Sequence, residues 1–334
     1  MSDVLCLGEI LVDWVCTTQG AELDRAQQFT KAPGGAPANV AVGLARQGVA
    51  TAFIGRVSHD AFGEWLRDLL NKEGIDTSCT IMDPNANTRM AYVVTTITGD
   101  RKLAEFSRVA CADAQLNETD IKPELFQKAS ALHFGSISLI ANPVAAATKK
   151  AVELAKTNKL LVSYDPNVRL GLWPSAEACK GTILDTLKWA DIVKINLDEL
   201  EFLTGSRELE VADMLRKQHD VPLLIITLDS QGCYIITGHG NKTVPGFQIQ
   251  LVEATGAGDG FVSGILTGVL PLTKGKPDRR KALQELSLDT IADIARRANA
   301  VGAIACTRPG AIPALPTTDE VDAFLEQMTA QASS

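Results

Sequence analysis

No pair of cysteines in this chain is spaced to close a tight loop or to hold a metal. Cys6, Cys16, Cys79, Cys111, Cys179, Cys233 and Cys306 are strewn at wide, irregular intervals with no CxxC, and His59, His133, His219 and His239 do not gather near them. A disulfide frame and a zinc site are thereby excluded, and reduced thiols in the cytoplasm are expected. No run approaches the roughly 18 apolar residues that a membrane helix needs. The opening MSDVLCLGEI puts no basic segment before an apolar one, so no signal peptide is expected. Positive charge is in the minority, with 32 Lys and Arg against 40 Asp and Glu and a formal charge of −8. Such a field excludes duplex nucleic acid and anionic membranes as main partners. A phosphorylated ligand must then be held by backbone donors and a few placed cations.

What is present is the material of a large α/β domain. Of 334 residues, 46% are hydrophobic and 22% charged, the balance of a globular chain with a sizeable core. VLCLG at 4–8 and TAFIG at 51–55 read as buried strands, and GAPANVAVGLARQ at 35–47 and FGEWLRDLLNKEG at 62–74 as helices. The same alternation returns with strands ALHFG (131–135), LLVSYD (160–165), ADIVKIN (190–196), LLIITL (223–228) and CYIIT (233–237). Helices are expected over 143–157, 287–306 and 318–328, and another over 256–270 after a strand FQIQLV (247–252). This rhythm predicts a doubly wound, mostly parallel sheet with helices on both faces. Residues 88–108, turning at Gly99–Asp100, have instead the period-two texture of a hairpin, and 11–33 resembles them. The expected organisation is one domain over 1–334, with a small β lid built from approximately 11–33 and 88–112. Residues 270–281 read as a polar linker.

The sharpest chemical signal is VEATGAGDGFVSGIL at 252–266. A chain that passes through Gly256, Ala257 and Gly258 and enters a helix at about Asp259 aims its N–H groups outward, and the helix dipole makes them an anion site. A carboxylate beside such a site repels phosphate unless it has another task, and the natural one is to take a proton from an attacking hydroxyl. The plainer alternative is a glycine turn with an aspartate cap. A dinucleotide fingerprint would lie near the first strand and carry a third glycine, and there is no GxxxxGK[ST], so an oxidoreductase and a P-loop are both disfavoured. The second signal is APGGAPANVAVGLARQG at 32–48. Gly34 and Gly35 admit a ligand close to the backbone, and Asn39, one turn into the helix, suits hydrogen bonds to hydroxyls.

GGAPANVA and TGAGD, about 220 residues apart, together resemble the paired signatures of the ribokinase-like (PfkB) carbohydrate kinase family. GEILVD (8–13), HFGSISL (133–139), DPNVR (165–169), NLDE (196–199) and GAIPALPT (310–317) extend the resemblance over the whole chain. DPNVRLGLW and AIPALPT are most similar to its fructokinase subgroup. The resemblance implies a ribokinase-like fold and transfer of the ATP γ-phosphate to a sugar hydroxyl. It makes Asp259 the catalytic base, with Gly256 in the catalytic loop and the N–H groups of Ala257, Gly258 and Asp259 lining the anion hole. It assigns Asp13, Gly34, Gly35, Asn39, Phe106, Arg108 and Arg169 to the sugar. ATP falls to Asn196, Thr227, Asp229, Gly232, Gly256, Gly258 and Asn299. Glu199 and Asn196 are implied as second-shell holders of Mg²⁺. Read without the family, Asn196 is a helix cap and Arg169 a surface ion pair. Glu253 replaces the usual aspartate, which argues against K⁺ activation, and GDRKLAEFSR is one residue longer than the usual lid segment.

The reading is therefore an ATP-dependent kinase acting on the primary hydroxyl of D-fructose. Its alternatives are a 2-keto-3-deoxygluconate kinase, a ribokinase, a nucleoside kinase, or a non-catalytic regulator that binds sugar or nucleotide. Sugar and ATP are the expected partners, with a homodimer through the lid.

Overall fold

Strands that are apolar on both sides must be covered on both sides, and the computed structural model shows how. It describes residues 2–97, 101–107 and 110–332, with only the backbone of Arg101, Lys102 and Ala332. In chain order the first half contains β1 (Val4–Leu7), β2 (Leu11–Cys16), β3 (Phe29–Gly34), α1 (Ala36–Arg46), β4 (Thr51–Ser58) and α2 (Ala61–Lys72). It continues with β5 (Thr80–Asp83), β6 (Met90–Thr95), β7 (Arg101–Phe106), α3 (Pro123–Phe126), β8 (Ala131–Gly135), α4 (Val144–Thr157) and β9 (Leu161–Asp165). There follow α5 (Ala176–Leu187), β10 (Ile192–Asn196), α6 (Leu197–Thr204), α7 (Glu210–Gln218), β11 (Leu223–Thr227), β12 (Gly232–Thr237) and β13 (Gly240–Pro245). The chain closes with α8 (Ala257–Thr273), α9 (Arg279–Gln284), α10 (Leu288–Ala305) and α11 (Thr318–Ala332).

Nine strands form one sheet in the order β13-β12-β11-β10-β9-β8-β1-β4-β5. From β5 to β11 the pairs are parallel, and β12 is antiparallel to both of its neighbours. Alternation sorts side chains between two cores: Val4 and Cys6 join α1, α8 and α10 on one face, while Leu5 and Leu7 meet α4 and α5 on the other. The same parity governs β10, where Ile192 faces the α8 side and Val193 and Ile195 face away. Lys194, two residues beyond Ile192, is thereby aimed at the α8 side.

A separate four-stranded sheet, β3-β2-β6-β7, comes from the two segments whose period differed. Between β6 and β7 the register passes from Tyr92↔Glu105 to Val93↔Leu103, so Ala104 is left over as a bulge. The Gly99–Asp100 turn lies outside the described residues.

Two readings need correction. FQIQLV (247–252) is not a strand. Phe247 packs edge-on against Phe324 of α11, and the Val252 N–H goes to Cys306 O, so the segment joins no ladder. Residues 270–281 are not a simple linker, because α8 runs on through Pro271 to Thr273 and α9 begins at Arg279.

Candidate active site

Two helix N-termini, remote in sequence, converge at the carboxyl ends of the strands, which is where open α/β sheets bind ligands. The first belongs to α8. Gly256 caps it with φ 82°, a left-handed conformation that glycine adopts without strain. A methyl group there would also lie 2.9 Å from the Ala311 Cα. The helix begins at Ala257, two residues earlier than the sequence suggested, so Asp259 sits in its first turn. The Ala257 N–H donates to Ala254 O at 3.2 Å, which removes it from the expected anion hole. The donors facing outward are then those of Gly258 and Asp259, which as first-turn amides lack an intrahelical acceptor.

The second N-terminus follows Gly34 and Gly35. A methyl on Gly34 would lie 2.3 Å from Asp13 Oδ2, and one on Gly35 2.5 Å from Glu9 O, so the loop and β2 touch backbone to side chain. Asn39, inside the first turn of α1, reaches across to α8: its Nδ2 donates to Asp259 Oδ2 at 2.8 Å. Both residues are buried, and Asn39 Oδ1 has no partner among the described residues. Helices α1 and α8 can come this close because Gly43 leaves room for Ser263, whose Oγ would lie 2.6 Å from a methyl at position 43.

Burial pushes the Asp259 carboxyl up to about 6. The Asn39 hydrogen bond opposes that rise, as do the charges of Lys194 and Arg169, and the Asp165 carboxylate adds to it. The group is thus ionised at neutral pH yet basic enough to accept a proton. Lys194 stands beside it. Its Nζ bonds Asp165 Oδ2 at 3.1 Å and would lie 3.0 Å from a methyl on Gly258, so the missing side chain at position 258 leaves the ammonium close to the loop. Burial alone would lower the lysine, but Asp165 and Glu199 outweigh it and hold the ammonium above its ordinary range. A buried cation, two free amides and a helix N-terminus around one carboxylate can hold an anion while a proton is removed from an adjacent hydroxyl.

A pfkB family carbohydrate kinase profile matches residues 1–318. The chain belongs to that family. Fructokinase-1 of Zea mays is 40% identical over 326 residues, covering 97% of this chain and 98% of the maize protein. Among solved structures, a fructokinase of Xylella fastidiosa with bound ATP superposes with a TM-score of 0.87 at 30% identity, covering 98% of this chain and 100% of that one. A double mutant of the Vibrio cholerae O395 fructokinase, in a fructose-, ADP- and potassium-bound form, gives 0.81 at 33% identity, covering 97% and 98%.

The Asn39–Asp259 hydrogen bond brings the loop of Gly34 and Gly35 to that of Gly256 and Gly258, with Asp13 against the first loop. Arg169 is half-buried, its Nη1 donating to Val168 O at 3.0 Å, and its charge is felt at Asp259. No carboxylate pairs with it among the described residues, so the surface ion pair is not what it makes. Asn196 and Glu199 form a capping box: Asn196 Oδ1 accepts from Glu199 N at 2.8 Å, and Glu199 Oε2 from Asn196 N at 2.9 Å. Glu199 Oε1 accepts from Val168 N at 2.8 Å. Strand register sets Thr227 level with Asn196, and Asp229 and Gly232 form the turn after β11. Asn299 donates to Val244 O and Pro245 O at 3.1 Å, and Pro245 is the ladder partner of Gly232. Phe106 is buried with Leu11 and Ala91 beneath the small sheet. Arg108 lies outside the described residues.

Lys194 and Asp165 were missed as site residues. One signal for Lys194 was in the sequence, a single charge inside the strand IVKIN (192–196), but a buried ammonium is costly in a way that only a partner 29 residues away could offset.

Proposed function

We propose that this protein is an ATP-dependent sugar kinase that transfers the γ-phosphate to the primary hydroxyl of D-fructose, giving fructose 6-phosphate and ADP. The carrying observation is the buried Asp259 held by Asn39 beside Lys194, in a chain matched end to end by fructokinases. Sugar hydroxyls have acceptors in Asp13 and the Asn39 Oδ1, and Asp259 takes the proton of the attacking one. The amides of Gly258 and Asp259, with Lys194 and Arg169, meet the charge that grows on the transferred phosphoryl group. The small sheet, as a lid, excludes water from the acceptor. ATP lies along the turn that holds Thr227, Asp229 and Gly232.

Mg²⁺ neutralises ATP phosphate charge. Both Glu199 oxygens already take a backbone N–H, and no cluster of three or more metal-ligating side chains occurs among the described residues. The fit is therefore through water, Glu199 and Asn196 orienting the ion's hydration shell. Glu253 Oε2 accepts from Gly310 N at 2.7 Å, tying two loops together, so we infer that K⁺ is dispensable here. The outer strands β3 and β7 of the lid support a homodimer through it. No helix among the described residues is long and apolar enough to cross a membrane, and seven cysteines without a disulfide support a reducing compartment such as the cytoplasm.

Coupled ADP detection over a panel of fructose, ribose, 2-keto-3-deoxygluconate and nucleosides, in potassium and in tetramethylammonium buffer, tests both readings. Fructose should turn over in either buffer, and Asp259→Asn should lower kcat by two orders of magnitude or more in a folded protein. Near-normal turnover by that variant would remove the base.

A further inference from the structure

A buried acidic pair plays no part in the chemistry above. At the foot of the small sheet lies a cavity of about 200 Å³, lined by Gly8, Glu9, Arg89, Asp113, Ser138 and Asn142. Three of its edges belong to elements already placed around the acceptor. Glu9 lies directly beneath the glycine loop: its Oε1 accepts from Ala36 N at 3.1 Å, and its carbonyl is the atom that a side chain at Gly35 would strike. Leu172, another lining residue, ends the short turn that follows Arg169. Arg89 immediately precedes β6, and its Nη1 reaches Ser107 O at 3.0 Å, just past the end of β7. The cavity therefore sits where the lid is rooted and where the sugar-facing loop begins.

Its polar inventory is incomplete. Arg89 Nε donates to Asp113 Oδ2 at 2.8 Å, and both side chains are 7% exposed or less. Asp113 Oδ1 is equally buried and has no hydrogen-bond partner among the described residues. A carboxyl oxygen without a hydrogen-bond partner is costly to bury, and a ligand hydroxyl would supply what it lacks. Glu9, 3% exposed, offers a second acceptor on the facing wall. Arg89 is matched by Asp113, so the wall that remains is acidic. It suits a neutral, hydroxyl-rich group and offers nothing to a carboxylate or a second phosphate. Leu172 and Ile137 give the apolar surface against which C–H groups of a sugar pack.

We propose that this cavity receives the end of the acceptor ketose remote from the phosphorylated hydroxyl, with Asp113 and Glu9 accepting its hydroxyl protons and selecting which sugar fits. The assignment rests on the fructose reading above and deepens it.

Steady-state kinetics and fructose-binding calorimetry on the full chain test it. Asp113→Asn should raise the fructose KM about tenfold or more, leave the ATP KM unchanged and alter kcat far less. The penalty should shrink for 2,5-anhydromannitol, which lacks the anomeric hydroxyl. Because Arg89 depends on Asp113, a second variant guards against misfolding: Ala141→Phe plugs the cavity from its exposed rim and should raise the fructose KM in the same way. Fructose KM values within twofold of wild type in the folded variants, with wild-type turnover intact, would overturn the cavity alone. Wild-type protein that binds fructose but releases no ADP would overturn the kinase reading, and calorimetry on the same variants would still decide the cavity. Absence of both binding and turnover would sink both.

Discussion

Asp259 shows how a first-turn residue acquires its chemistry from distant neighbours. Burial makes its carboxyl hold a proton more tightly than a free aspartate does, while Asn39, 220 residues away, favours the ionised form. A base with its midpoint at about 6 loses activity as pH falls through that value, so kcat/KM for fructose should decline roughly tenfold per pH unit below it. In Asn39→Ala the hydrogen bond that favours the charged form is gone, the carboxyl is raised further, and the acid limb should move to higher pH. An unmoved limb in that variant, measured over pH 5 to 8, would show that the contact does not set the base. Not all buried titratable groups here belong to the site. Burial lowers His133 to about 4, with its Nδ1 against Ser163 Oγ at 3.0 Å, which marks it as a neutral polar member of the sheet core.

At the scale of elements, the site depends on how closely α8 can approach its neighbours. A methyl on Gly264 would lie 2.7 Å from Ala298 Cα of α10, where the obstacle is backbone and cannot rotate away. Alanine in place of helical glycine gains about 1 kcal/mol of propensity, but forcing two packed helices apart costs about 1–3 kcal/mol. The clash should win, so Gly264→Ala should lower the melting temperature. Because α8 carries Asp259 in its first turn, kcat should fall as well, and an unchanged Tm would refute the packing argument. The long apolar run of α8, VSGIL and its flanks, was readable as a buried helix, but which faces α1 and α10 would take was not. The strand expected at 247–252 failed for a related reason: Phe247 found Phe324 on α11, a partner that no local pattern announces.

For the whole molecule, the seven cysteines serve as dispersed reporters of folding. Six are buried and Cys306 is partly exposed, and none is joined in a disulfide. Burial raises Cys6, Cys179 and Cys233 well above ordinary thiols and also raises Cys306. Native protein should therefore expose about one slowly reacting group to a thiol reagent and all seven after unfolding, a count that thiol titration reads directly. Several thiols reacting fast in the native state would contradict the burial described.

The sequence alone determined the repeating strand–helix alternation, the two glycine loops and the aspartate that ends one of them, because periodicity and backbone freedom are local properties. It also announced the small second sheet, since a change from helical spacing to period two needs no tertiary knowledge. Only the tertiary structure decided that Asn39 would touch Asp259, that Ala257 would turn its N–H inward, and that Lys194 and Asp165 would form a buried pair beside Gly258. Those outcomes depend on which strands become neighbours and on where desolvated charges find partners. Both are properties of distances through space, and a sequence records only distances along the chain.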